Sequence, residues 1–289
     1  MGNEVMTKDG YVNQFKMALG DAGIKKQFQA VLKDKAPGFM VSLMNFYVDN
    51  ATSNKAFEPQ SVIKSALTAA ALDLPIEKSL GYAYLIPYEF KGSGLNQVNF
   101  QMGYKGYIQL AQRTGKYRKL TATPIYNEQM ISWNPLTEDL QVDFSVDVDY
   151  EQEPYGYAFY FELLNGFTKT IFKTRKQVDA HAKRYSSSYK AFLDKKVRSS
   201  IWNDNFDAMA LKTVVKEGIS KWGVMSIEMI EAIKNDEDDE NPIKKVKKEI
   251  EKAREDAEII DIPDAELKDD ISEEAWEQVA NEVTNDPGF

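Results

Sequence analysis

The sequence predicts an α+β fold in which helices come first, an antiparallel sheet follows, and further helices close the folded body. Apolar residues recur at helical spacing up to residue 75 and again after residue 174. The interval between them is rich in strand-like runs of β-branched and aromatic residues. Within it, Asn165-Gly166 separates two such runs and is a β-hairpin signal, so we expect the strands to pair antiparallel.

Helices are predicted throughout the N-terminal part. In the first region Gly20 and Gly23 are expected to interrupt the helical pattern, and Ala-Pro-Gly at 36–38 is expected to end it. Pro75 should stop the last helix, because proline cannot donate a backbone hydrogen bond. The predicted helical regions are 11–35, 38–51 and 58–75.

The central part is expected to begin with two strands joined by a Gly-rich turn at 91–96 and to continue with a helix over 103–114. Thr174 and Gln177 fit a capping box, which predicts that another helix begins there, and a long helix over 197–222 closes the body. The predicted strands are 82–90, 97–102, 119–127, 139–150 and 157–173.

Charge divides the chain into a mildly basic body and an acidic tail. The formal net charge is -9, but residues 235–289 alone carry 20 acidic and 7 basic residues, against 25 acidic and 29 basic residues in the rest. Such charged segments with few aromatic residues are typical of disordered regions that bind partners. We therefore expect a helical region at 1–58, a core at 59–234, and an acidic, mostly disordered tail at 235–289.

The composition excludes several classes of site. The chain has no cysteine, which excludes a disulfide framework, a thiolate zinc site and a cysteine nucleophile. No GxxxxGK[ST] sequence occurs, so ATP-driven recombinase chemistry has no support. No stretch approaches the ~18–20 apolar residues of a membrane span, and no apolar leader is visible, so we expect a cytoplasmic protein without a membrane partner.

The segment 101–119, QMGYKGYIQLAQRTGKYRK, holds five basic residues, three tyrosines and no acidic residue. As a helix it would dock one face, with Tyr104 and Tyr107, on a sheet, and would present amides and cations on another face. Gly103 and Gly106 are expected to let a ligand approach the first turn, where a helix N-terminus favours phosphate. The polar face would carry Lys105, Gln109, Gln112, Arg113 and Lys116.

Two further elements are rich in cations. Residues 163–193 contain one acidic residue against seven basic ones and include KRYSSSYK at 183–190. The predicted C-terminal helix aligns Asn205, Lys212 and Lys216 on one stripe. Cations neutralise phosphates, and aromatic faces stack on bases without reading their identity. Three such elements on one body predict a basic groove for a single-stranded nucleic acid that is held by its backbone.

Two alternatives remain open on these residues, a passive single-strand coating protein and a metal-dependent nuclease. The nuclease would use the acidic segment 143–153, because alternation along a strand would put its carboxylates on one side. The solvated face of an edge strand is the favoured interpretation of that segment, and His181, the one histidine, is expected at the surface. We therefore expect no catalytic site and no cofactor. The carboxylates are Asp143, Asp147, Asp149, Glu151 and Glu153.

Three motifs, in their order and spacing, resemble those of the RecT family of phage and prophage single-strand annealing proteins: ALDLPIEKSLGYAYLIPY, VNFQMGYKGYIQLAQRTG and NFDAMALKTVVK. The resemblance covers roughly residues 15–225. It implies an annealing fold similar to that of lambda Red beta. It also implies a protein that coats single strands without ATP, assembles into rings or helical filaments, and pairs complementary strands during homologous recombination.

The resemblance also implies partners and site residues. From the resemblance we expect single-stranded DNA, the annealed duplex, a companion phage exonuclease and further copies of the chain as partners, with the helices of 1–58 as candidate contacts between copies. The residues of the acidic tail at 235–289 separately suggest contact with the exonuclease or the host single-strand binding protein. The cell would be the bacterial host, where the protein would be cytoplasmic. The residues in matching motifs that would contact DNA are Tyr104, Lys105, Tyr107, Gln109 and Arg113, then Lys183, Arg184 and Tyr185, and then Lys212, Thr213 and Lys216.

Overall fold

The computed structural model describes residues 7–52, 56–88 and 95–227, together with 229, 230 and 233, so the predicted tail at 235–289 lies outside the described residues. The helices are α1 (Lys8–Gly20), α2 (Ala22–Leu32), α3 (Ala36–Asn50), α4 (Pro59–Ala71), α5 (Tyr104–Arg113), α6 (Arg175–Tyr185), α7 (Ser187–Leu193), α8 (Ile201–Asp204) and α9 (Phe206–Trp222). The strands are β1 (Ala83–Tyr88), β2 (Gln97–Met102), β3 (Tyr117–Ile125), β4 (Met130–Asn134), β5 (Asp139–Val142), β6 (Gly156–Leu163) and β7 (Thr168–Thr174).

The strands pair antiparallel, which confirms the predicted α+β class. β6 is the central strand of a three-stranded sheet, with β3 on one side and β7 on the other. β1 pairs with β2, and β4 pairs with β5, each as a two-stranded sheet. The predicted Asn165-Gly166 turn joins β6 to β7, and Gly166 has a φ of 87°, a left-handed conformation that favours glycine.

Helix α9 packs directly on the three-stranded sheet. A side chain added at Gly218 would place its Cβ only 2.6 Å from the ring of Phe159, so the backbone of the helix touches the sheet there. Phe159, Phe161 and Val214 are fully buried between the two layers. Helix α5 packs against α9 in turn. This packing brings together two of the three elements that the sequence identified as cation-rich.

The N-terminal helices share a core with α4. Phe15 of α1 stacks on Tyr47 of α3 at a centroid distance of 4.1 Å. The Asp21 carboxylate accepts hydrogen bonds from the backbone N–H groups of Gly23 and Ile24, which separates α1 from α2 near the predicted interruption. In the part of the chain that the structure describes, no helix is long and apolar enough to cross a membrane.

Several boundaries differ from the sequence predictions. Pro37 lies in the first turn of α3, where its missing N–H costs nothing, so Ala-Pro-Gly begins a helix as well as following one. The expected helix over 197–222 is divided at Asn205, whose non-helical backbone (φ -143°, ψ 56°) separates α8 from α9. The capping box of Thr174 and Gln177 at the start of α6 is confirmed. Helix α7 and strand β4 were not predicted.

The predicted strand over 139–150 is wrong beyond Val142. Asp143 accepts hydrogen bonds from the backbone N–H and the hydroxyl of Ser145, at 2.8 and 2.6 Å, and Asp149 accepts one from the backbone N–H of Glu151 at 3.0 Å. Such local bonds fold the chain into turns in competition with a strand ladder. The acidic segment therefore does not align its carboxylates by alternation.

Candidate nucleic-acid interface

A cavity of about 290 Å³ lies where the β1–β2 sheet, the start of α5 and the α8–α9 region meet. That volume is at the lower end of the ~300–1,000 Å³ typical of small-ligand sites, so it suits one unit of a chain-like ligand rather than a duplex. The cavity is lined by Lys78, Tyr84, Ile86, Gln101, Met102, Gly103, Tyr104, Ile201, Asp204, Asn205, Ala208, Met209 and Lys212.

Close backbone packing sets the position of α5 beside the cavity. A Cβ at Gly103 would lie 2.2 Å from the carbonyl oxygen of Gly81, and one at Gly106 would lie 2.3 Å from that of Tyr82. The expectation that these glycines admit a ligand is therefore corrected: the chain's own backbone occupies the space. This packing places Tyr104, the first residue of α5, in the cavity wall.

Lys212 supplies a buried positive charge. Its side chain lines the cavity from α9 although only 3% of the residue is exposed. Burial raises the pKa of Tyr84 above its ordinary value, Tyr104 adds to that rise, and Lys212 opposes it. The two tyrosines and the lysine are thus close enough to interact electrostatically. A charge in such a low-dielectric position attracts an anion more strongly than one in bulk water.

The rest of the polar lining comprises two amides, one acid and one exposed cation. Gln101 and Asn205 present amide groups from β2 and from the start of α9, and Lys78 stands at the exposed side. Asp204 is an exposed carboxylate whose pKa is lowered by hydrogen bonds from Ser199 and Asn203. Lys105 lies near Tyr84 at the edge of the cavity. A Cβ added at Gly81 would lie 3.2 Å from the Tyr84 hydroxyl oxygen and 3.5 Å from Lys105 Cδ, so both side chains lie over Gly81.

The structure therefore brings Tyr104, Asn205 and Lys212 together among the residues that the sequence singled out. Sequence reasoning missed Lys78, Tyr84 and Gln101. Strand alternation puts Tyr84 and Ile86 on one face of β1, and Tyr84 is the register partner of Gln101, so the pairing of the two strands could have found them.

Several other residues that were predicted to contact DNA make contacts within the fold. Tyr107 is fully buried, and the Thr213 hydroxyl donates to the carbonyl oxygen of Met209 at 2.9 Å. Arg113 donates to the carbonyl oxygens of Leu72 and Asp73 at 2.6 and 2.8 Å, so it ties α5 to the end of α4. The remaining three lie outside the cavity lining: Gln109 and Lys216 are half-buried, and Lys116 is exposed.

The predicted residues of the 183–190 segment lie away from the cavity lining. Lys183 forms an ion pair with Asp179 at 2.6 Å, and the Arg184 guanidinium lies 5.3 Å from the centre of the Tyr185 ring. His181 packs beside Tyr185 at a ring distance of 4.7 Å. Helix α6 therefore does not contribute to the cavity lining.

The acidic segment 143–153 does not contribute to the cavity lining. Within the described ranges, no group of three or more acidic or histidine side chains is arranged to hold a metal ion. The Glu153 carboxylate instead accepts from Arg175 at 2.7 Å. The nuclease alternative required carboxylates aligned on one side of a strand. The turns within 143–153 do not provide that alignment.

Comparison with known proteins identifies the family of the chain. Residues 37–253 match the model of the RecT family. The chain is 43% identical over 218 residues to YqaK of Bacillus subtilis (strain 168), an uncharacterised protein, and the match covers 75% of this chain and 70% of YqaK. It is 26% identical over 182 residues to the protein RecT of Escherichia coli (strain K12), covering 62% of this chain and 64% of that protein. Because the family match extends over more than half of its length, the chain belongs to the RecT family.

Proposed function

We propose that this chain binds single-stranded DNA without ATP, assembles on it as an oligomer, and anneals complementary strands. Membership of the RecT family supports a role in single-strand annealing and DNA recombination. The observation that carries the proposal at the level of residues is the cavity that joins a buried lysine, Lys212, to the two tyrosines Tyr84 and Tyr104.

The lining groups match the chemistry of one nucleotide unit. Lys212 and Lys78 would neutralise a phosphate, with Lys105 beside the rim, and such contacts bind every sequence alike. The faces of Tyr84 and Tyr104 would support a base or sugar by stacking. Among the lining groups, those that could contact a base edge are the amides of Gln101 and Asn205 and the carboxylate of Asp204, whereas the lysines and tyrosines bind without reading the base. The bases of the bound strand would therefore stay available for Watson–Crick pairing, which an annealing protein needs.

In an oligomer, one DNA strand would run from the binding site of one copy to the binding site of the next. A few base pairs form reversibly, whereas many pairs in register do not separate, so a continuous array favours annealing. We propose the N-terminal helices within 1–58 as the contacts, since Met17, Val31 and Val41 are exposed there at 79%, 44% and 59%. The segment 235–289 would recruit a companion exonuclease and the host single-strand binding protein.

The proposal is tested by mixing complementary labelled oligonucleotides with the protein in the absence of ATP, with and without magnesium. Pairing is followed by fluorescence transfer, and strand length is followed on a gel. Faster pairing with intact strands in both conditions supports annealing. Slower pairing would show a passive coating protein, and magnesium-dependent shortening would show a nuclease.

A substitution in the cavity makes the test specific to the site. Lys212→Met keeps the apolar length of the side chain but removes its charge, and a melting curve checks that the variant is folded before its affinity is compared. We expect single-strand affinity to fall about tenfold, which corresponds to about 1.4 kcal/mol. Lys64→Met, at an exposed position on α4, is the matched control and should bind as the unmodified protein does. Equal single-strand affinities for the two variants would show that the cavity is not part of the DNA-binding site.

A further inference from the structure

The start of helix α9 supplies one wall of the cavity. The residues that do so are spaced by three or four positions, so they share one face of the helix: Asn205, Ala208, Met209 and Lys212. Among the described residues, the Asn205 side chain forms no capping hydrogen bond to the first turn of α9. Contacts on another side of the helix must therefore fix the rotation at which this face meets the cavity.

Those contacts are made by Arg175, the first residue of α6. Its guanidinium carbon lies 4.0 Å from the centre of the Phe206 ring, and one guanidinium nitrogen donates to the Asp207 carboxylate at 3.1 Å. Phe206 and Asp207 open α9 and lie outside the cavity lining. A guanidinium can stack on a ring and donate hydrogen bonds at the same time, which an ammonium cannot do in the same geometry.

Tyr157 of β6 joins the same group of side chains. It is fully buried, and its hydroxyl accepts from Arg175 at 2.8 Å and donates to the Asp207 carboxylate. Burial raises the pKa of Tyr157, and the hydrogen bond to Asp207 raises it further, so the hydroxyl keeps its proton and remains a donor. Each of the three side chains is therefore bonded to the other two.

This network connects the start of α9 to the three-stranded sheet. Tyr157 lies within β6, and the backbone N–H of Arg175 donates to the carbonyl oxygen of Tyr155 at 2.8 Å, directly before β6. Further along α9, Gly218 touches Phe159 of the same strand. Two separate contacts with one sheet fix the rotation of a helix. The rotation of α9 in turn decides whether Lys212 faces the cavity.

We propose that Arg175 and Asp207 are positioning residues of the DNA-binding site, which hold Asn205 and Lys212 toward the cavity and do not contact DNA themselves. This inference rests on the proposed function, since it takes the cavity as the site of single-stranded DNA. Arg175 belongs to the cation-rich window 163–193, but Asp207 and Glu153 both pair with its charge. Its contribution to binding is therefore one of geometry.

The test measures the affinity of the full chain for a labelled oligonucleotide after Asp207→Ala and, separately, after Arg175→Lys. Loss of a carboxylate alone would strengthen binding to a polyanion, and Arg175→Lys keeps the charge. We nevertheless expect each variant to bind about fivefold more weakly, because the wall of the cavity is displaced. The matched control is Glu153→Ala, which removes the other partner of Arg175, an exposed carboxylate outside α9, and should leave affinity unchanged.

A second measurement separates positioning from general support of the fold. Asp207→Ala is combined with Lys212→Met, and the cost of Asp207→Ala is compared with and without the lysine. If Asp207 acts through Lys212, its cost should largely disappear once the lysine is gone. Melting temperatures identify the range in which every variant is folded. Should Asp207→Ala melt early, Arg175→Lys takes its place in the same comparison.

Three results would overturn the inference. Unchanged affinity in both variants would show that the network does not position the site. Tighter binding by Asp207→Ala, with Arg175→Lys unchanged, would show that the charges themselves act on DNA. An equal cost with lysine and with methionine at position 212 would show a role in the fold alone. Failure of the proposed site differs from all three, because Lys212→Met by itself would then bind as tightly as the unmodified protein.

Discussion

Two basic segments look alike in the sequence and behave differently in the structure. In 101–119, Arg113 donates to the carbonyl oxygens at the end of α4, and Arg118 and Lys119 both pair with Glu162, at 2.9 and 3.6 Å. Only Lys105 and Lys116 of that segment have no ion-pair partner among the described residues. In 175–198, five cations are left without one.

The difference teaches that charge density alone does not reveal which cations are available to a ligand. The three cations of 101–119 that are engaged find their partners far along the chain; Arg113 and Leu72 are 41 residues apart. A cation that bonds to the chain's own oxygen atoms stabilises the fold, and one that remains exposed can contact phosphate. The variants below separate these two roles residue by residue.

The largest effect is expected at Tyr107, which resemblance assigned to DNA and which the structure buries completely. Tyr107→Ala should lower the free energy of unfolding by about 3–5 kcal/mol, as truncation of a core aromatic does. Urea unfolding measures this change. Tyr104→Ala is the comparison on the same helix: Tyr104 is only half-buried, so its stability loss should be smaller and its binding loss larger. A stable Tyr107→Ala protein that binds poorly would contradict the burial of this side chain.

Arg113 should give the next largest effect on stability. Arg113→Ala leaves the two carbonyl oxygens at the end of α4 without their donor, at a cost of about 1.5 kcal/mol. The salt dependence of single-strand binding should stay as it is in the unmodified protein, because the guanidinium is engaged within the fold. Thermal melting and a salt titration measure the two properties. A smaller slope of log affinity against log salt, with an unchanged melting temperature, would show that Arg113 contacts DNA.

A smaller effect is expected from Glu217, which is paired with Lys173 at 2.9 Å and Lys221 at 3.0 Å. Burial opposes ionisation of Glu217, but the hydrogen bonds from the two lysines outweigh it and lower its pKa below the ordinary 4.5. Since the pKa is lower in the folded state, the stabilisation is present above pH 4.5 and is lost as the pH falls through the folded value.

Glu217→Gln should therefore melt below the unmodified protein at pH 7, and the difference between the two melting temperatures should narrow from pH 7 to pH 3. Glu151→Gln, at an exposed position, is the control and should match the unmodified protein at both pH values. A difference between the melting temperatures that does not narrow between pH 7 and pH 3 would show that packing, and not the charge of Glu217, supports this contact with Lys173 of β7.

The sequence predicted the local structure near the site better than it predicted the site itself. The α5 helix, its polar face and the β1–β2 pair follow from periodicity and turn residues, which are local properties. The cavity depends on how α9 packs against α5, and on the break at Asn205 that turns Ile201 and Asp204 toward β1 and β2. These are tertiary contacts, and no local pattern encodes them. The buried state of Lys212 belongs to the same class, because a lysine in a helical stripe is usually solvated.

The smallest effect, and the one that completes the comparison, is expected at Lys105. Its side chain is exposed beside the cavity, and no residue in the described part of the chain forms an ion pair with it. Lys105→Ala should leave the melting temperature unchanged and should reduce the slope of log affinity against log salt by about 0.7, the share of one phosphate contact on a single strand. Arg118→Ala removes a cation that is paired with Glu162 and should leave that slope unaltered. If the two variants gave equal slopes, pairing within the fold would not decide which cations of 101–119 meet DNA, and the contrast between the two basic segments would lose its physical basis.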